Sequence, residues 1–179
     1  MRRLAILAVT AIVAFATPAA ARMDFAAMPV GCGWTTEYSN GNTWRETFVG
    51  KQGKAYVTEV REGSDTGALV ARKRFDTKGR MIERTWANGK WERFKPFSCY
   101  GEPGLCEYTY SNADGLRQTI VNKTVTKSKG FIVRAQAKGS APFPDETYRT
   151  GQFGVMIANR GGDFTSHVVS FHRCDAASS

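Results

Sequence analysis

The side chains of strongest chemical character in this sequence are arginines interleaved with tryptophans. From Arg72 to Lys95 nine basic residues stand against three acidic ones, and Trp86 and Trp91 lie in the same stretch. An arginine fork matches phosphate or carboxylate through parallel hydrogen bonds, and an indole packs on the face of a sugar or base. A second run, Arg117 to Lys138, holds six basic residues and no acidic one. Recognition of an anion is the chemistry these residue types offer.

Acid–base and nucleophilic chemistry finds less support. The two histidines, His167 and His172, are five residues apart. That odd offset puts them on opposite faces of a regular strand, one packed and one solvated, which suits neither a shared metal nor a coupled pair. Asp163, Ser166 and His167 are too close in sequence to form a triad, whose members converge from separate elements. No Gly-rich phosphate loop, H-E-x-x-H or G-x-S-x-G motif occurs. Glu83 and Glu92 could face each other as a carboxylate pair, although cross-strand ion pairing accounts for them more simply. Asn122-Lys123-Thr124 is a glycosylation sequon. No catalytic residue, metal ligand or cofactor is assigned on these grounds.

The elements that must position the arginines begin after an export signal. Arg2 and Arg3 precede an apolar run from Leu4 to Phe15, and Ala19-Ala20-Ala21 follows. A charged start, a short apolar segment and small residues define a secretory leader, with cleavage expected after Ala21. The run is too short for a bilayer, which takes roughly 20 residues, and no later stretch is apolar enough to span one as a helix. The expected organisation is a leader, 1–21, and one mature β domain, 22–179. Losing Arg2 and Arg3 lowers the formal net charge from +9 to +7.

Four cysteines, Cys32, Cys99, Cys106 and Cys174, fit an oxidising compartment, periplasmic or extracellular, as two disulfides. Cys99 and Cys106 bracket a Gly/Pro-rich excursion that a local bridge closes. Cys32 and Cys174 then tie the start of the domain to its end. A zinc site lacks the C-x-x-C spacing it needs.

Between residues 34 and 173, β-rich runs recur every 10 to 14 residues, each closed by turn residues such as Asn40-Gly41, Gly50 to Gly53, Thr77 to Gly79, Asn88-Gly89 and Asn112 to Gly115. The fold class expected is all-β, an antiparallel up-and-down meander of ten or eleven strands. A Cys32–Cys174 bridge favours a closed barrel over a two-sheet sandwich. An outer-membrane barrel needs an apolar outer band, which the adjacent charges at Arg72-Lys73, Glu83-Arg84 and Glu92-Arg93 oppose.

Phasing then decides the arginine surface. A two-residue Asn88-Gly89 turn pairs Trp86 with Trp91 and Arg84 with Arg93. A three-residue loop after Asp76 pairs Lys73 with Glu83 and Arg72 with Arg84. One face would carry Arg72, Arg74, Arg84, Trp86, Trp91, Arg93 and Lys95 as a binding ladder. The other would carry Leu69, Ala71, Phe75, Met81 and Phe94 as core. The expected function is a non-catalytic envelope binding protein whose ladder holds an anionic partner: a lipid head group, an acidic glycan or another polyanion, with nucleic acid less suited. The alternatives are a barrel with a small apolar ligand inside, which needs small or sparse inward side chains, and an exported enzyme with an unrecognised site.

Overall fold

Apolar–polar alternation, broken at short intervals by glycine, asparagine and aspartate, gives consecutive antiparallel hairpins. In a computed structural model these form twelve strands: β1 (Gly33–Tyr38), β2 (Thr43–Gln52), β3 (Ala55–Glu62), β4 (Leu69–Phe75), β5 (Met81–Trp86), β6 (Trp91–Lys95), β7 (Gly104–Asn112), β8 (Arg117–Lys127), β9 (Gly130–Ala137), β10 (Glu146–Thr150), β11 (Met156–Gly161) and β12 (Phe164–His172). The structure describes residues 22–128 and 130–175; the expected leader, 1–21, lies outside them. Each strand pairs with the next, and β12 pairs with β1, so the meander closes into a barrel.

The strand count exceeds the expected ten or eleven because the run Tyr148 to Ala158, which from its residue types alone would count as one strand, is divided in two. A short 3-10 turn at Gln152–Gly154 divides it, with Gly154 at φ +71°.

Closure creates a packing problem. Eight strands enclose a space that their own side chains fill, and twelve enclose more. At the end where β1 starts and β12 finishes, residues 22–31 fold beneath the barrel as a plug. The Phe25 ring lies 4.9 Å from Phe48, 5.1 Å from Tyr56 and 4.8 Å from Phe75. Met28, Cys32, Trp34, Val155 and Cys174 complete this core. The Met23 N–H donates to the Gly79 carbonyl at 3.3 Å, and the Asp24 N–H donates to the Phe153 carbonyl at 2.9 Å. A side chain at Gly79, already at φ +75°, would collide with the Met23 carbonyl at 1.9 Å, so the close approach requires glycine. Sequence reading assigned residues 22–31 no role. The available signal was Phe25 and Met28, three residues apart after Asp24, whose carboxylate accepts the Ala27 N–H at 3.2 Å.

Both disulfides form as the spacing implied, Cys32–Cys174 and Cys99–Cys106. The outer wall carries charges on many strands, Glu59, Arg72, Glu83, Arg93 and Arg134 among them, in place of a continuous apolar band. Among the described residues no helix is long and apolar enough to cross a membrane.

The histidines correct a second expectation. Val169 is an extra residue between the pairs Thr35–Ser170 and Thr36–Val168. The bulge restores parity, and both imidazoles face outward. His172 Nε2 sits 3.1 Å from Thr35 Oγ1, and His167 Nε2 is 3.4 Å from Glu37. Their partners belong to different strand positions, and they share no site.

The two bridges should differ in value. Cys32–Cys174 closes a separation of 142 residues and Cys99–Cys106 one of 7. Loop entropy then gives about 5 and about 2.5 kcal/mol respectively as upper values. Replacing Cys32 and Cys174 by Ala should lower the urea midpoint clearly more than replacing Cys99 and Cys106.

Candidate functional site

Two one-residue offsets decide where the arginines point. The loop after Asp76 forms as expected, with the Asp76 N–H donating to the Arg80 carbonyl at 2.9 Å. Its carboxylate accepts the Lys78 N–H at 2.9 Å and Arg80 Nε at 2.7 Å. Burial pushes the Asp76 carboxyl up, but these hydrogen bonds outweigh it and hold it below the usual aspartate value. Beyond the loop, β5 has one residue too many. Phe75 pairs with Met81 and Arg74 with Glu83, leaving Ile82 as a bulge. Lys73 therefore faces Arg84 and Arg72 faces Thr85, in place of the expected Lys73–Glu83 and Arg72–Arg84 pairs.

The β5–β6 reversal slips in a similar way. The Trp86 N–H donates to the Lys90 carbonyl at 2.8 Å, so Ala87, Asn88 and Gly89 make a three-residue loop with Gly89 at φ +82°. Asn88 Oδ1 accepts the Lys90 N–H at 3.0 Å. Asn-Gly thus ends a longer loop instead of forming a two-residue turn. Arg84 faces Glu92, Glu83 faces Arg93, and neither Arg84–Arg93 nor Trp86–Trp91 is a pair.

Each slip reverses the side-chain parity of β5 relative to a neighbour. The expected single ladder does not form. Arg72, Arg74, Trp91, Arg93 and Lys95 stay together on the outer wall, while Arg84 and Trp86 turn into the barrel. The outer arginines are largely neutralised. Arg72 pairs with Glu59 at 2.8 Å, Arg93 with Glu83 at 3.0 Å and Arg74 with Glu83 at 3.6 Å, and Arg93 lies over the Trp91 ring. Glu83 is outside and Glu92 inside, so they are no carboxylate pair. On the expected core side, Ala71, Phe75 and Phe94 are buried as anticipated. Lys73 shares that side but takes Glu46 as its partner.

Inside, four charges run across the wall. Glu46 on β2 accepts Lys73 Nζ at 2.7 Å and the Thr58 hydroxyl at 2.6 Å. Arg84 on β5 pairs with Glu92 on β6 at 2.5 Å. Lys73 and Arg84 are direct cross-strand partners, so two cations meet at the centre with a carboxylate beyond each. Their heads are about three-quarters shielded from solvent. Tyr38 reaches the same place. Burial pushes its phenol up to about 12, with the Glu46 charge adding to the effect and Arg84 opposing it.

Above these charges, at the end opposite the plug, the barrel opens into a cavity of about 290 Å³. Its wall is an aromatic arc. Tyr38 lies 4.8 Å from Trp44 and 5.7 Å from Phe164, and Trp44 meets Trp86 edge-on at 6.3 Å. Arg84 lies over Trp86 at 4.5 Å. Val60 and Ala71 supply apolar floor, and Asn40 and Asn42 the rim. A second chamber of about 220 Å³ lies toward the plug, sharing Tyr38 and Lys73 with the mouth and closed below by Met23, Gly79 and Gly154.

The far side of the interior is also polar. The Tyr100 hydroxyl donates to Glu146, which the Asn159 amide approaches at 3.4 Å. The Tyr148 hydroxyl is buried without a partner among the described residues. Asn122 is 1% exposed and points inward, so the sequon is out of reach in the folded chain. The site combines a cationic centre with ring-stacking walls. Sequence reading found Arg84 and Trp86 through their residue types. It missed Trp44, Tyr38 and Glu46, which only barrel closure brings to them.

No family model, curated protein or solved structure matches this chain.

Two outcomes follow from the interior charges. Lys73→Met leaves the Glu46 carboxylate inside without its cation and should cost up to about 3 kcal/mol, whereas Glu46→Leu combined with Lys73→Met should lie within about 1 kcal/mol of the native protein. Chemical denaturation of the single and double variants measures both. The fold also keeps Tyr38, Tyr100, Tyr108, Tyr110 and Tyr148 neutral, burial being the main cause in each. Their folded values are raised, so this stability is complete below the ordinary value of 10.0 and disappears as pH rises through the folded ones. Alkaline titration should show the phenolate band growing together with the loss of β-sheet signal, rather than well before it.

Proposed function

We propose that this chain is an exported binding protein, not an enzyme, that takes a small amphipathic anion into the mouth of its barrel. A ring-bearing carboxylate is the ligand class that fits. The ring would pack among Trp44, Trp86, Tyr38 and Phe164, and the carboxylate would lie between Lys73 and Arg84. The observation that carries this reading is the direct pairing of Lys73 with Arg84 beneath an aromatic arc. Like charges placed opposite each other on adjacent strands destabilise a sheet, and interior ion pairs seldom stabilise more than apolar residues of the same size. Glu46 and Glu92 each neutralise one of the two cations from the side, but the mouth is lined by Lys73 and Arg84 and by neither glutamate, so an arriving anion meets the cations first.

Size limits the ligand. Small-molecule pockets run from roughly 300 to 1,000 Å³, and this mouth is at the lower edge at about 290 Å³. The inward side chains are bulky, so a long-chain apolar ligand is a poorer fit than a single small ring system. Export is supported by the leader pattern at residues 1–21 together with two disulfides, which persist in oxidising compartments. The ladder reading has less support now that Arg84 and Trp86 face inward and the outer arginines have carboxylate partners.

Titrating the protein with 2-naphthoate and with the uncharged 2-naphthalenemethanol, followed by calorimetry and tryptophan fluorescence, tests the proposal. The carboxylate should bind about tenfold or more tightly than the alcohol, the increment expected of a charge-assisted hydrogen bond. Trp86→Ala should abolish binding, and Trp91→Ala, on the outer wall, should leave it intact. Equal binding of acid and alcohol, no binding of either, or equal losses in the two tryptophan variants would overturn it.

A further inference from the structure

One residue of the second basic run, Lys127, lies on the outer wall with two arginines from later strands, Arg149 and Arg160. Register places Arg160, Thr147, Ile132 and Val125 in one row across β11, β10, β9 and β8. Arg149 pairs with Ala158 beside that row, and Lys127 with Gly130 at its lower end. Ile132 and Ala158 form the apolar floor of an outer groove of about 380 Å³, with Lys127, Arg149 and Arg160 among its walls. All three cations are exposed.

Their surroundings differ from those of the arginines in the middle of β4, β6 and β9. Arg72, Arg74, Arg93 and Arg134 each have a carboxylate partner, the last at 3.0 Å from Asp145. Among the described residues Lys127, Arg149 and Arg160 have none. Three unpaired positive charges around one apolar recess repel one another, and a bound anion removes that cost. We infer that this groove is a second binding site, for the phosphate head group of an anionic lipid at a membrane surface. A guanidinium pair suits a phosphate diester through forked hydrogen bonds. The recess is far larger than a free phosphate ion, and its Ile132–Ala158 floor suits the glycerol and upper acyl carbons that follow the phosphate. The inference stands apart from the mouth and does not depend on it.

Co-sedimentation with vesicles tests it, comparing phosphatidylcholine alone with phosphatidylcholine containing phosphatidylglycerol. The native protein should partition onto the phosphatidylglycerol vesicles only. Combining Lys127→Gln, Arg149→Gln and Arg160→Gln should lower that partitioning roughly a hundredfold, at the usual contribution of a basic residue near an anionic surface. A charge-matched control, Arg72→Gln with Arg74→Gln and Arg93→Gln, should lose less than about fivefold because those charges are already paired. Thermal midpoints check that both variants fold. Equal losses in the two variants would mean that net charge alone acts, and would overturn the site. No binding to phosphatidylglycerol would also overturn it. Complete competition by millimolar inorganic phosphate would assign the groove to free phosphate and overturn the lipid.

Discussion

The volume enclosed by twelve strands is the constraint on which the rest depends. A wall that long cannot fill its own interior with the alternate side chains of its strands. This chain meets the excess in three ways. The plug at residues 22–31 brings Phe25 and Met28 under one end. Long charged and aromatic side chains occupy the middle. The remaining space stays open as a mouth and a lower chamber. The disulfide between Cys32 and Cys174 stands where plug, first strand and last strand meet, so closure and plugging are fixed at one point.

That excess volume also explains why charge can be held inside. In a tight core an ion pair would cost several kcal/mol of desolvation with no water to offset it. Here Lys73, Arg84 and Glu46 border cavities, and these three and Glu92 remain partly hydrated. The interior therefore tolerates polar residues that a narrower barrel would exclude, Asn122 and Glu146 included. Outside, the logic reverses: Arg72, Arg74 and Arg93 each find a glutamate on the next strand, whereas Lys127, Arg149 and Arg160 over β8 to β11 have no carboxylate partner among the described residues.

The sequence was most readable where residue types and their number leave few choices. The turns, the all-β class, the preference for closure and both cysteine pairs follow from residue types and spacing. Phasing was less readable. Every residue of β5 is half-buried, because Glu83 and Thr85 on one face and Arg84 and Trp86 on the other are equally mixed in polarity. With no clear alternation, register depends on loop length and bulges, and a slip of one residue exchanges the faces. Ile82 gives no sign of being a bulge, and Asn88-Gly89 serves a two- or a three-residue loop. The partners of Arg84 and Trp86 were harder still, since Trp44 and Glu46 lie on a strand forty residues away.

The inward turn of β5 is the central claim, and cross-strand proton contacts measure it directly. Nuclear Overhauser effects in the oxidised protein should connect the backbones of Lys73 with Arg84 and of Arg84 with Glu92. Contacts joining Lys73 to Glu83 and Arg84 to Arg93 instead would return Arg84 and Trp86 to the outer wall, and the mouth would lose its cationic centre.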